Sequence, residues 1–135
     1  MIAWSKAELR TVADSEELDV SPLLEDGETY RAPTTIWSVA VGDALYVRAG
    51  NGRSALWYKA AIRRKAGRIA AAGVTKAVSF EPIGGPINDR VDAAYREKYK
   101  SSPYVDDMLG SAVRAATLRV MPREPEHRSG ATRGT

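Results

Sequence analysis

Residues 35–61 read TIWSVAVGDALYVRAGNGRSALWYKAA, and this stretch decides the fold. Two apolar runs with an alternating pattern flank Gly42-Asp43, a pair typical of a two-residue hairpin turn whose first position needs a positive φ. A glycine-rich loop at residues 50–54 follows the second run and leads into helix-forming residues. The stretch therefore predicts a strand, a tight turn, a second strand, a loop and a helix.

The turn also fixes which side chains share a face of the hairpin. Counting back from it places Val39 opposite Tyr46 and Trp37 opposite Arg48, the latter pair within reach of a cation–π contact. Because side chains alternate between the two faces of a sheet, the faces differ in composition. The face predicted to join the core carries Ile36, Ala40, Leu45 and Val47. The opposite face carries Trp37, Val39, Val41, Tyr46 and Arg48.

The rest of the chain predicts further short strands and helices. Helices are expected over residues 5–13, 55–65 and 87–100, with a short turn at residues 104–109. Strands are expected over residues 18–24, 29–32, 68–72, 75–82 and 115–121. Pro22 indicates an edge position for the first of these strands, and Gly67 is expected to end the second helix. Antiparallel hairpins flanked by two to four helices predict an α+β fold, and the many short strands favour a closed or half-closed barrel.

Composition bounds the class of protein. The chain of 135 residues is expected to form a single domain over residues 1–122, followed by a disordered tail at residues 123–135. The absence of cysteine excludes disulfides and thiolate chemistry. The sequence shows neither a signal peptide nor an apolar run near the roughly 20 residues of a membrane span. We therefore expect a cytoplasmic protein without membrane contact.

The net charge of +3 is too small for a nucleic-acid-binding surface unless the charge is clustered. One basic cluster exists, formed by Lys59, Arg63, Arg64, Lys65 and Arg68. It lacks the interleaved aromatic residues that bind single-stranded nucleic acid, so no nucleic-acid partner is expected. We expect a solvated helix end there, and contact with a diphosphate or polyglutamate tail is the alternative.

The glycine-rich loop is a candidate phosphate site. The backbone N–H groups of residues 52–55 come just before a helix, a place where anions bind. The candidate contact residues are Arg48, Gly50, Asn51, Gly52, Arg53 and Ser54. No Gly-Lys-Ser/Thr follows the glycines, so the loop is not a Walker motif. A plain connection with surface arginines is the alternative.

Four aromatic side chains are candidates for a slot that accepts a flat ring: Trp37, Tyr46, Trp57 and Tyr58. Aromatic groups that stack face to face suit a ring such as an isoalloxazine. The alternative is that these side chains fill the core or a dimer interface.

Acid–base chemistry has few candidate residues. Those on the third predicted helix are Asp92, Tyr95, Arg96 and Tyr99, and Tyr58 is a further one. The alternative is that the tyrosines belong to an apolar stripe and that Asp92 and Arg96 form an ordinary helix pair. The one histidine, His127, lies in the predicted tail, so neither a Ser-His-Asp triad nor a His-ligated metal centre is expected.

The run LYVRAGNGRSALWYKAA at residues 45–61 resembles a signature of small split β-barrel proteins of the deazaflavin-dependent nitroreductase kind. Residues 4–122 as a whole resemble a small bacterial domain-of-unknown-function family, placed with the split-barrel flavin- and deazaflavin-binding proteins of pyridoxamine-phosphate-oxidase-like fold. The likeness lies in Ile36-Trp37, Tyr46-Val47-Arg48, Trp57-Tyr58, VDAAYREKY at residues 91–99 and ATLRVMP at residues 116–122. Where typical deazaflavin binders have an Arg-x-Ser-Gly loop for phosphate, this chain has Arg31-Ala32-Pro33-Thr34.

The resemblance implies a split β-barrel homodimer that binds FMN or a deazaflavin and reduces a small organic substrate. The phosphate would lie on residues 50–54 with Arg48, and the ring would lie near Trp37, Trp57 and Tyr58. A second hypothesis is a cofactor-free pocket that binds, cyclises or isomerises an apolar small molecule between the same aromatic walls. A third is an interaction module whose Trp37 face is buried in a flat interface.

Overall fold

Seven antiparallel strands and four α-helices make up residues 4–123, the part of the chain that the computed structural model describes. The strands are β1 (Leu18–Pro22), β2 (Thr34–Ile36), β3 (Ser38–Val41), β4 (Ala44–Arg48), β5 (Ala66–Ala71), β6 (Val74–Pro82) and β7 (Thr117–Pro122). The helices are α1 (Lys6–Asp14), α2 (Leu56–Arg64), α3 (Ile87–Lys98) and α4 (Ser111–Arg114), and 3₁₀ turns lie at Gly52–Ser54 and Val105–Met108. The predicted α+β class is confirmed.

All seven strands belong to one sheet, in the order β2-β1-β5-β6-β7-β4-β3. Side chains from five of these strands converge with those of α1 and α2 on a single buried cluster. Its most deeply buried members include Leu18, Leu45, Ile69 and Leu118, and burying a side chain of this size contributes roughly 1.5–3 kcal/mol. The sheet thereby curls into a nearly closed barrel around this core.

The predicted central hairpin, β3 and β4, is confirmed in type and register. Val39 pairs with Tyr46 across the two strands, and Gly42 in the turn has a φ of +63°. Leu45 and Val47 face the barrel core, as the alternation predicts. Both faces of the hairpin are therefore covered, because the second face packs beneath α3.

Helix α3 lies on the outer face of the hairpin through an apolar stripe that includes Val91, Tyr95 and Tyr99. Trp37 stacks on Tyr99, with ring centroids 3.9 Å and planes 5° apart. The predicted contact between Trp37 and Arg48 is wrong, because Arg48 lies instead 5.4 Å from the centroid of the Tyr95 ring. Trp37 and Arg48 therefore each contact a tyrosine of the α3 segment and do not contact each other across the strands.

Three predicted details of the strands are wrong. Strand β1 lies inside the sheet, between β2 and β5, and Pro22 fits there because it is the last residue of the strand. The next strand is Thr34–Ile36, which begins after residues 29–32. Gly67 lies within β5 instead of ending α2, and a Cβ atom on it would lie 2.6 Å from the carbonyl oxygen of Ser21. Close contact between neighbouring strands explains this glycine.

Strand β7 ends at Pro122, and residues 124–135 of the predicted tail lie outside the described residues. Within residues 4–123, no helix combines the length and the apolar character that a membrane crossing needs. The same part of the chain has no group of three or more acidic or histidine side chains placed to hold a metal ion.

Candidate functional site

Arg48 is completely buried, and each of its three guanidinium nitrogens donates to an acceptor. Nε donates to the Thr117 hydroxyl at 2.9 Å. Nη1 donates to Asp92 Oδ1 at 2.6 Å and to the Met108 carbonyl oxygen at 2.9 Å. Nη2 donates to the carbonyl and side-chain oxygens of Asn88 at 3.2 and 2.9 Å. This buried junction joins β4, β7, α3 and the turn at Val105–Met108.

The buried junction corrects the predicted phosphate contact of Arg48. A phosphate needs N–H donors that are free before it binds, and the five N–H groups of Arg48 make five hydrogen bonds inside the protein. The expected surface pair of Asp92 with Arg96 is wrong as well, because Asp92 points inward to Arg48 whereas Arg96 is exposed. A buried pair of this kind holds the fold in place, since removing one partner leaves the other charge uncompensated.

A signal for the buried junction is present in the sequence. Asn88, Asp92, Tyr95 and Tyr99 recur at intervals of four, three and four residues, which is the spacing of one helix face. Strand alternation places Arg48 on the hairpin face that this helix covers. A carboxylate on an otherwise apolar stripe therefore predicts a buried partner once α3 is placed over the hairpin.

The glycine-rich loop folds into a short 3₁₀ turn that uses several of its own donors. The Gly52 N–H donates to the carbonyl of Ala49 at 2.9 Å, and the Ala55 N–H donates to the carbonyl of Gly52 at 3.1 Å. The Ser54 hydroxyl donates to the carbonyl of Asn51 at 3.0 Å. Two of the backbone donors predicted for a phosphate are thus occupied, and the open helix end lies one turn later, at the start of α2.

The four candidate aromatic residues do not form one slot. Trp57 and Tyr58 are buried on the barrel side, edge to face with ring centroids 6.2 Å apart. Trp37 and Tyr46 belong to the layer beneath α3 on the other face of the hairpin. The separation follows from strand alternation, because a β-sheet keeps its two faces apart.

A groove of about 400 Å³ lies beside the start of α2. It is lined by Arg31, Thr34, Thr35, Ile36, Gly50, Asn51, Ala55, Leu56 and Trp57. Three of the predicted site residues, Gly50, Asn51 and Trp57, therefore come together here. The other lining residues come from β2, from the connection that precedes it and from the first turn of α2.

The groove brings a cation and a helix N-terminus together. The guanidinium of Arg31 contacts the hydroxyl of Thr34 at 3.3 Å, and no carboxylate of residues 4–123 pairs with it. Ala55 is the N-cap of α2 and has no side-chain oxygen to accept from the N–H groups of the first turn. Within the described part of the chain, no acidic residue lines the groove. The arrangement can hold an anion next to Trp57.

Three tyrosines have a raised pKa because burial disfavours the phenolate. Burial raises the pKa of Tyr99 to about 12, and it raises the pKa values of Tyr95 and Tyr58 as well. Tyr95 is fully buried between α3 and the hairpin, and neither it nor Arg96 lines the groove. The structure therefore does not bring these candidates for acid–base chemistry to the groove.

Lys98 also has a displaced pKa. Its Nζ donates to the carbonyl of Ser38 at 2.6 Å, and burial lowers its pKa to about 8 against the opposing effect of Asp14 and Glu16. It lines a separate cavity of about 390 Å³ together with Tyr99. None of the residues that line this cavity lines the groove.

The basic cluster on α2 and β5 is partly paired. Arg63 Nη1 lies 2.5 Å from Glu25 Oε2, and Arg64 donates to the carbonyl of Glu25 at 3.2 Å. Arg68 lies over the ring of Tyr30, 4.2 Å from its centroid. These contacts agree with a solvated helix end whose charge is partly neutralised locally.

A family model matches residues 8–120 of the chain, which is most of the described structure. The family is DUF2255, described as "Uncharacterized protein conserved in bacteria". Among curated proteins, none matches the chain significantly.

Three solved structures share the fold. The conserved hypothetical protein Rv2991 from Mycobacterium tuberculosis has a TM-score of 0.62 at 17% identity, over 91% of this chain and 83% of that one. Campylobacter jejuni ChuZ has a TM-score of 0.62 at 11% identity over 86% of this chain, which spans 50% of ChuZ. An F420 reductase has a TM-score of 0.54 at 12% identity, over 90% of this chain and 97% of that one. The predicted split β-barrel is confirmed.

Proposed function

This chain belongs to the bacterial DUF2255 family, and we propose that it is a reductase-like protein that binds a flavin or deazaflavin in the groove beside Arg31. One observation carries the proposal: a cation that pairs with no carboxylate of residues 4–123, an uncapped helix N-terminus and a tryptophan line the same groove. The likeness in fold to an F420 reductase, named for a deazaflavin, supports this class of ligand.

The phosphate of the cofactor lies between Arg31 and the first turn of α2. A phosphate accepts from N–H groups and is stabilised by the positive end of a helix dipole. Arg31 adds a full positive charge and donors suited to two phosphate oxygens. Arg31 also begins the Arg31-Ala32-Pro33-Thr34 segment, which by the resemblance replaces the Arg-x-Ser-Gly phosphate loop of typical deazaflavin binders and keeps only its arginine.

The ring lies against the apolar part of the groove. Trp57 is 5% exposed and offers the groove a small aromatic surface, whereas the large apolar side chain of Leu56 is 67% exposed at its edge. A planar ring covers such surface, and a groove of this volume is within the usual range for small-molecule sites. A second copy of the chain, packed on the exposed Leu56, would enclose the ring further, so we include a homodimer in the proposal.

The chemistry belongs mainly to the cofactor. When bound, a flavin or deazaflavin supplies hydride or electron transfer to a small organic substrate. The residues of this chain bind the phosphate, orient the ring and exclude water from one of its faces. This division of labour accounts for a groove in whose lining residues 4–123 place neither a histidine nor a carboxylate.

Titration of the full chain with FMN, riboflavin and F420, followed by the absorbance of the ring, tests the proposal. We expect saturable spectral changes, with FMN binding at least about tenfold tighter than riboflavin because riboflavin lacks the phosphate. Leu56→Ser is expected to weaken FMN and riboflavin equally, by about fivefold, because it removes apolar contact with the ring.

Arg53→Gln is the matched control, because Arg53 is an exposed arginine close in sequence that does not line the groove. We expect this variant to bind as the original chain does. The absence of any saturable change with all three compounds at tens of micromolar would overturn the proposal. That result would favour the cofactor-free pocket for an apolar molecule.

A further inference from the structure

A third pocket, of about 460 Å³, lies where the loop after β6 meets the start of α3 and the short helix α4. It is lined by Ile83, Gly84, Gly85, Asn88, Ser111, Arg114 and Ala115. It shares no residue with the groove beside Arg31. A Cβ atom at Gly84 or Gly85 would meet nothing within 4 Å, so the loop leaves open space beside the pocket.

Asn88 presents unpaired donors to this pocket. The residue is only 7% exposed, and its side-chain oxygen accepts from Arg48 Nη2 at 2.9 Å. Because arginine can only donate, the atom that faces it must be the oxygen, which fixes the orientation of the amide. The Nδ2 group then has two N–H donors that meet no acceptor among residues 4–123. Solvent reaches this amide nitrogen, because the Ser38 hydroxyl is the one buried side-chain atom without a hydrogen-bond partner in residues 4–123, so an acceptor that enters the pocket replaces water on Nδ2.

Two further donors line the same pocket. Arg114 donates to Asp89 Oδ1 at 2.9 Å through Nη2, and its Nε lies 3.6 Å from Asp92 Oδ2. Its Nη1 has no acceptor among the described residues, and neither does the hydroxyl of Ser111. Among residues 4–123, no carboxylate side chain lines the pocket. The side chains that line it therefore offer donors almost exclusively.

We propose that this pocket binds the oxyanion of a small molecule, a carboxylate or a phosphate group. Such a group only accepts hydrogen bonds, so it can satisfy the Asn88 amide, the Ser111 hydroxyl and the Arg114 guanidinium together. Asp89 and Asp92 are the competing carboxylates: the exposed side chain of Asp89 is free to turn into solvent when the oxyanion takes its place on Arg114, and Asp92 keeps its place near Nε. The proposal is independent of the flavin site, because the two sets of residues do not overlap.

The side-chain amide of Asn88 reports directly on binding. We would titrate the ¹⁵N-labelled full chain with sodium phosphate and, separately, with sodium acetate, holding the ionic strength constant with sodium chloride. The Nδ2 resonances of Asn88 are expected to shift saturably with at least one of the two anions. Saturation with phosphate alone assigns a phosphate ligand, and saturation with acetate alone assigns a carboxylate ligand.

Two variants locate the site on the pocket. Arg114→Gln is expected to raise the dissociation constant about tenfold, and Ser111→Ala about threefold, since each removes a donor. Arg90→Gln, at an exposed arginine of α3 outside the pocket lining, is the control and should bind normally. Shifts that stay linear with both anions, or that Arg114→Gln leaves unchanged, would overturn the proposal.

Discussion

Arg48 and Arg31 show how the surroundings of an arginine decide its role. Arg48 is completely buried and donates five hydrogen bonds within the protein, to acceptors on three elements. Arg31 is half-buried at the wall of the groove, and its guanidinium contacts only the hydroxyl of Thr34 within residues 4–123. An arginine with every donor used is part of the fold, whereas one with donors left over is available to a ligand.

The contrast teaches that proximity to a glycine-rich loop is a poor guide to anion binding. Arg48 lies two residues before Gly50 in the sequence, yet the strand turns its side chain away from the loop and under α3. Arg31 lies far from the loop in sequence but lines the same groove as Gly50. The number of guanidinium N–H groups left without an acceptor inside the protein distinguishes Arg31 from Arg48.

The largest expected effect comes from opening the buried junction. Arg48→Met should lower the free energy of unfolding by about 3–5 kcal/mol, because it leaves the Asp92 carboxylate buried without its main partner. Urea denaturation followed by circular dichroism measures the change. Arg53→Gln should stay within about 0.5 kcal/mol of the original chain. Equal stability of Arg48→Met and the original chain would show that the junction is not structural.

Alkaline pH should lower the free energy of unfolding through Tyr99, which packs under the hairpin near the buried junction. The pKa of Tyr99 is about 12 in the folded protein and near 10 in the unfolded chain. The folded state therefore favours the neutral phenol. Stability contributed by this group is therefore present below pH 10 and is lost as the pH rises towards 12, on the order of 2 kcal/mol. Unfolding measured across pH 8 to 12 should show the loss, and Tyr99→Phe should reduce it.

A smaller effect is expected from one neutral member of the junction. Thr117→Val keeps the side-chain shape but removes the hydroxyl that accepts from Arg48 Nε at 2.9 Å. We expect a loss of about 1–2 kcal/mol, since one buried N–H is left without an acceptor. Thermal denaturation at a fixed pH measures the difference. A variant more stable than the original chain would contradict the assigned hydrogen bond.

Sequence reasoning succeeds where the determinants are local. The turn at Gly42-Asp43, the alternation of β3 and β4 and the apolar stripe of α3 are each contained in a short stretch, and the structure confirms them. The closing strand β7 can also be predicted from the sequence, because Ala116, Leu118 and Val120 alternate and all three lie in the core. The split-barrel fold follows from the resemblance together with these elements.

The site depends on contacts between distant residues, which no short stretch reveals. Arg31 and Trp57 line the same groove because β2 borders it opposite the start of α2, and the pattern of either segment alone does not predict this. Arg48 looks like a ligand residue until α3 is placed over its strand. Gly67 looks like a helix end in the sequence, but it is a strand residue, and the neighbouring strand β1 leaves no room for a side chain there.

The smallest expected effect on stability belongs to Arg31, and it gives the most direct test of the account. We would measure dissociation constants for FMN and riboflavin with the original chain and with Arg31→Gln, and the unfolding midpoint of both proteins. We expect Arg31→Gln to reduce the preference for FMN from about tenfold or more to about threefold, the part that the first turn of α2 still supplies, with stability changed by less than about 0.5 kcal/mol. An unchanged preference for FMN in Arg31→Gln would contradict the assignment of the phosphate to this groove.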